Sequence, residues 1–137
     1  MSDLVVTVPK TRWQEWLGEG TWPGQACQPD VEYHWFGRGR HLPPIRRSDR
    51  LYIVAHGRLR GYAPVVRLDA PPYPKPDWWW PGADWAIVRQ GGAVAVTIPG
   101  RINGFQGWRY RWWNRGQEIP FPDWQTADMP VGMKVRV

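Results

Sequence analysis

Residues 76–85 read "PDWWWPGADW", three consecutive tryptophans between two prolines with Trp85 shortly after. Large flat side chains do two things well: they fill cores, and they stack on planar ligands such as nucleobases. In extended chain, successive side chains point opposite ways. Trp78 and Trp80 are therefore expected on one side, walling a base-binding pocket, with Trp79 turned the other way. The plainer alternative is that the rings plug the core or cover proline surface. Pro71, Pro72, Pro74, Pro76 and Pro81 stiffen the loop, which lowers the ordering cost of presenting rings there. Trp35, in "EYHWF", is a further candidate ring for the pocket.

Charge supplies the second chemistry. The formal net charge is +6, and 15 arginines stand against 3 lysines. Arginine offers a planar fork for phosphate and a flat face for stacking. Arg58 and Arg60 flank a predicted hairpin tip, Arg46 and Arg47 crowd one loop with Arg38 and Arg40, and Arg109 and Arg111 alternate with aromatics in "FQGWRYRWW". Singly, each reads as a solvated charge. Together, Arg58, Arg60, Arg46, Arg47, Arg109 and Arg111 are the expected phosphate contacts. Lys10 and Thr11 stand where a strand gives way to a helix. They read either as a helix start with its cap, or as a place where backbone N–H groups and an ammonium receive a phosphate or a base carbonyl.

Other chemistries find little support. His34, His41 and His56 have no metal-ligand spacing, and Cys27 is the only cysteine, so neither a metal site nor an intrachain disulfide is expected. No phosphate-binding P-loop, Rossmann glycine motif or serine-hydrolase elbow occurs, and no cofactor is expected. No window is apolar enough to span a membrane and residues 1–10 do not read as a signal peptide, so the expectation is a soluble, cytoplasmic protein of one domain, 1–137.

The elements that must position these residues are mostly strands. "DLVVTVP" (3–9) reads as a strand. "TRWQEWLGEG" (11–20) reads as a short helix with a Thr11/Gln14 capping box, one face of Trp13, Trp16 and Leu17, and a stop at Gly18 and Gly20. Residues 21–31 read as loop and 32–36 as a short strand. Residues 45–69 are the clearest segment: a turn at Ser48-Asp49, a strand alternating between two faces, a tight turn at His56-Gly57, and a return strand interrupted by Gly61. A proline-rich loop (69–83) precedes a second predicted hairpin, "DWAIVRQ-GG-AVAVTIP" (84–99), turning at Gly91-Gly92. In 105–113, Trp108, Tyr110 and Trp112 would share one strand face, opposite Arg109, Arg111 and Trp113. The tail is expected to add one or two strands. The fold class is mainly β (α+β), with six or seven short strands curled into a barrel and one or two short helices.

The order of these pieces resembles the PUA-like superfamily, in particular its ASCH and EVE branches. The segment "RRSDRLYIVAHGRLRGYAPVVRL" is similar to the central hairpin of those families, with Ser48-Asp49 where they carry Gly-Asp. "RGYAPVVRL" fits their second strand, "DWAIVRQ" their tryptophan-initiated strand, and "VVTVPKTRWQEWL" their opening strand and helix. The resemblance covers residues 3–99 and implies a mixed pseudobarrel that binds RNA, DNA or a modified or flipped base. It also implies an alternative, a small hydrolase acting on RNA or a modified nucleoside, with Lys10, Thr11 and Glu15 (or Asp49 as the acid) as the catalytic set. A protein-interaction or carbohydrate-binding module is the third reading of a tryptophan- and arginine-rich surface.

Overall fold

The computed structural model describes residues 2–17, 28–70, 74–91 and 94–129; the side chains of 28–31 and 91 are left aside. Cys27, the glycine stop at 18 and 20, and the last predicted strand, in 130–137, lie outside the described residues. The strands are β1 Leu4–Thr7, β2 Gln28–Gly37, β3 Arg50–Ala55, β4 Arg58–Asp69, β5 Trp85–Gly91, β6 Val96–Thr97, β7 Trp108–Tyr110 and β8 Ile119–Pro120. One helix, α1 (Trp13–Leu17), follows a 3-10 turn at Lys10–Arg12. The chain is thus mainly β, as expected.

Six strands form one mixed sheet in the order β2-β5-β4-β3-β1-β7, and β6 pairs with β8. β1 is parallel to β3, and the other pairs are antiparallel. β1 is an inner strand buried on both faces, which explains its unbroken "LVV". The predicted central hairpin is present. His56 and Gly57 both have positive φ (49° and 76°), as a primed two-residue turn requires. Ser48 also has positive φ, 72°. It adopts a conformation for which glycine is better suited.

β4 is the pivot of the sheet. Its first half pairs with β3 and its second half, from Val65, with β5. Pro64, which has no N–H to give, sits where the pairing is handed over. Gly61 marks a bulge opposite Ile53 and Val54 and a close approach. A Cβ there would fall 2.5 Å from the Val94 carbonyl oxygen, which accepts from Tyr62 N at 3.1 Å.

One core cluster joins Leu4 and Val6 of β1, Ile53 of β3, Val65 of β4, Trp85 and Ile87 of β5, and Trp13 and Trp16 of α1. Strands far apart in sheet order share this core, so the sheet is curled. Among the described residues it does not close: β2 and β7 remain edges, and the expected barrel takes the form of an open, curled sheet. A second cluster lies on the other face, where Val5, Tyr52, Val54 and Leu59 pack under Ile98, Ile102 and Trp113. Both faces of β3 are therefore buried.

Several local expectations need correction. The Thr11/Gln14 capping box does not form; Pro9 is the N-cap, without a side-chain hydrogen bond, and Thr11 lies within the 3-10 turn. β2 starts at Gln28, inside the stretch read as loop. The 84–99 hairpin does not form as drawn. β5 pairs with β2 and β4, Val94 bridges Tyr62, and β6 pairs with β8. Residue 92 of its predicted turn lies outside the described residues. β7 is only three residues long, so Arg111 falls beyond it.

Candidate nucleic-acid interface

Where the sheet fails to close, its two edges face one another across an aromatic cleft. Trp35, Phe36 and Gly37 of β2, with Arg38 beyond it, line one side; Gln106, Gly107 and Trp108, at the start of β7, line the other. Trp80 and Trp85 complete this region. A narrower cavity of about 330 Å³ continues from it, lined by Thr7, Pro9, Arg12, His34, Trp35, Phe36, Trp80 and Phe105 to Gly107. That volume is at the lower end of small-ligand sites.

The tryptophan run is divided as its spacing predicts. Trp79 is 7% exposed, while Trp78 is 57% and Trp80 42% exposed. The route to this division differs from the predicted one, because the segment is a turn rather than extended chain. Trp79 N donates to Pro76 O (3.0 Å), Ala83 N to Trp80 O (3.1 Å), and the Trp79 indole Nε1 to Ala83 O (2.9 Å). Trp79 packs with Ala83, Ala86 and Phe36. Trp80 stacks on Phe36, with centroids 5.3 Å apart and planes at 15°, and the Arg12 guanidinium lies 3.7 Å from its ring centre. Trp78 stands edge-on to His34 at 4.8 Å. Trp35 and Trp80 thus line the cleft, and Trp78 stands beside it.

His34 adds a polar group to the apolar wall. Burial lowers its pKa, against the opposing pull of Asp69, which favours the neutral ring. Its Nε2 lies 3.8 Å from Asp69 Oδ2, beyond hydrogen-bond reach, and finds no partner among the described residues.

The expected basic residues divide into structural and surface groups. Arg60 is 1% exposed and donates to the carbonyls of Ala55 (2.8 Å), Trp124 (3.0 Å), Ala127 (2.6 Å) and His56 (3.3 Å). Burial pushes its pKa down to about 10. It ties the hairpin to the 121–129 segment and is not a phosphate contact. Arg111 is likewise structural. With Arg115 it holds buried Asp3, at 3.1 and 2.8 Å, and it donates to Trp113 O. Arg58 is paired with Asp128 at 2.6 Å and lies over Phe121. Arg46, Arg47 and Arg109 are exposed; Arg109 lies over Phe105, at 4.4 Å, near the cleft.

Lys10, Thr11 and Glu15 are exposed and do not converge on the aromatic cleft. Lys10 borders a different cleft, with His56 and Arg101. Besides Arg38, the cation that reaches the aromatic cleft is Arg12, which sequence reasoning passed over. No spacing rule links it to Trp80, because the pairing is made by the fold. Gln106 was missed for the same reason. No protein-family model, no curated protein and no solved structure matches the chain.

Proposed function

We propose that the protein binds nucleic acid and holds one base, flipped or unpaired, modified or unmodified, in the cleft between β2 and β7. The observation that carries this reading is the set of rings around that cleft, Trp35, Phe36, Trp80 and Phe105, with Arg12 on the face of Trp80. Flat aromatic walls take a base by stacking, worth about 1–3 kcal/mol per base. The amide of Gln106, on an exposed residue that lines the cleft, is suited to reading a base's polar edge. Arg46, Arg47 and Arg109 supply exposed charge for the backbone. The PUA-like resemblance agrees with this reading and stands as part of the proposal. The hydrolase alternative does not share this cleft, since Lys10, Thr11 and Glu15 are not among its lining residues.

The test is a binding screen of short RNA and DNA oligonucleotides with different modified bases, read by fluorescence anisotropy at several salt concentrations. The expected result is binding that weakens steeply with salt and is reduced in Trp80→Ala. Absence of binding at low salt would overturn the reading, and oligosaccharide binding in a parallel screen would replace it with the carbohydrate alternative.

A further inference from the structure

On the far side of Thr7 and Pro9 from the aromatic cleft lies a second cleft of about 410 Å³. It is lined by Lys10, His56, Gly57, Arg101, Asn103 and Asp128, among others, and Thr7 and Pro9 line both clefts. Arg58 joins the same wall where the space continues past His56. The charges facing it are Lys10, Arg101 and Arg58, with Asp128 opposing; Asp128 is bound to Arg58 at 2.6 Å. Arg60 lies buried beneath, donating to His56 O. The balance is strongly positive.

His56 is the unusual member. It holds a left-handed backbone conformation, φ 49°, which is unfavourable for a residue other than glycine. Asn would serve better before Gly57 in such a turn. Both ring nitrogens are buried without a hydrogen-bond partner among the described residues, and the ring stands edge-on to Trp13 at 5.8 Å. Burial first, then Arg60 and Lys10, lowers its pKa. Turn chemistry alone does not call for a histidine here. Neither nitrogen is open to solvent, so the ring must turn to reach an anion, and an imidazole set among Lys10, Arg60 and Arg101 would gain from one.

We infer that this second cleft is a phosphate site, formed by Lys10, Arg101 and His56, which takes a phosphate group of the ligand whose base occupies the aromatic cleft. The pairing with the base rests on the proposed function; the phosphate site itself does not. The guanidinium of Arg101 packs against Gly57, where a Cβ would lie 3.2 Å from its Cζ. That cation thus sits against the turn that carries His56, and both residues line the cleft. The arrangement gives the ligand polarity, with its base at the sheet seam and its phosphate at the hairpin tip.

The test uses the full chain and two kinds of probe. Inorganic pyrophosphate is titrated while the amide resonances of Gly57, Arg101 and Asn103 and the ring of His56 are followed by NMR. The expected result is saturable shifts at these positions, abolished in the Lys10→Ala/Arg101→Ala double variant and retained in Lys75→Ala. His56→Asn is expected to melt no lower than the parent yet bind pyrophosphate at least threefold more weakly. Unchanged affinity in the double variant, or shifts confined to Arg46, Arg47 and their neighbours, would overturn the site. A 5′-mononucleotide is then compared with its nucleoside, with at least a tenfold advantage expected for the nucleotide, lost in the double variant. If pyrophosphate binds as expected but no nucleoside or oligonucleotide does, the base-binding reading fails while the phosphate site stands.

Discussion

Trp80 carries Arg12 over its ring and Phe36 stacked beside it, whereas Trp79, one residue earlier, is sealed against Ala83 and Ala86. Their substitutions should separate. Trp80→Ala is expected to weaken oligonucleotide binding by about 1–3 kcal/mol with little change in melting temperature. Trp79→Ala should lower stability by about 3 kcal/mol, with binding by the folded fraction largely kept. Anisotropy and thermal melts on the same samples check both. The arginines divide in the same way. Arg60→Ala leaves carbonyls of Ala55, Trp124 and Ala127 without their donor, and unmet buried groups cost about 1–3 kcal/mol each. Arg60→Lys should not restore stability, because an ammonium cannot span the same carbonyls as a planar fork. Arg46→Ala and Arg47→Ala should leave the melt unchanged and flatten the salt dependence of binding by about one counterion per lost phosphate contact.

The β3–β4 hairpin and its entry turn carry two backbone predictions. Ser48 is exposed and left-handed. Ser48→Gly removes a conformational cost of about 1–2 kcal/mol and adds an unfolded-state entropy cost of about 0.5–1 kcal/mol. A net stabilisation of up to about 1.5 kcal/mol in a denaturant titration is expected, and a loss would show that the serine side chain matters. Gly61→Ala should act the opposite way. Its Cβ would press on the Val94 carbonyl at 2.5 Å, within the bridge that joins β4 to the 94–97 segment. A loss of about 1–3 kcal/mol is expected, with the Val94 amide losing protection from hydrogen exchange first.

Across the whole molecule, the chain from Arg111 to Glu118 is fastened to the sheet by buried charge. Asp3 accepts from Arg50 N at 2.9 Å and from the guanidinium groups of Arg111 and Arg115. Tyr52 donates its hydroxyl to Glu118 at 2.5 Å, and Glu118 also accepts from Arg50 and Trp113. Burial alone would raise the Asp3 pKa; the Arg50 N–H and then the two arginines outweigh it and hold the value lowered. A lowered folded pKa contributes stability that is present above the unfolded value, near 3.8, and lost as pH falls through the folded one. The parent should therefore lose stability below about pH 4. Asp3→Asn should be destabilised by about 3 kcal/mol at pH 7, since two guanidinium groups lose their counter-charge. It should also show a flatter melting-temperature profile below pH 4.

Much of this structure was legible in residue order because it is local. The hairpin turning at His56-Gly57 follows from alternation and one permissive dipeptide. The buried face of α1 follows from the spacing of Trp13 and Trp16, and Gly61 marks the interruption of β4. The split between Trp79 and its neighbours was also legible, although a turn rather than an extended strand produces it. Features set by distant partners were not. β6 is two residues long, and "AVAVTIP" carries no sign that it would pair with Ile119–Pro120 rather than fold back on β5. Arg60 and Arg111 read as surface cations because nothing nearby in sequence reveals the carbonyls and the carboxylate that bury them. The aromatic cleft exists only because the curled sheet stops short of pairing β2 with β7, and Arg12 meets Trp80 only across that gap. Alternation along a strand tells which residues face inward. Which strands become the edges, and what lies between them, is decided by the balance of burial over the entire chain.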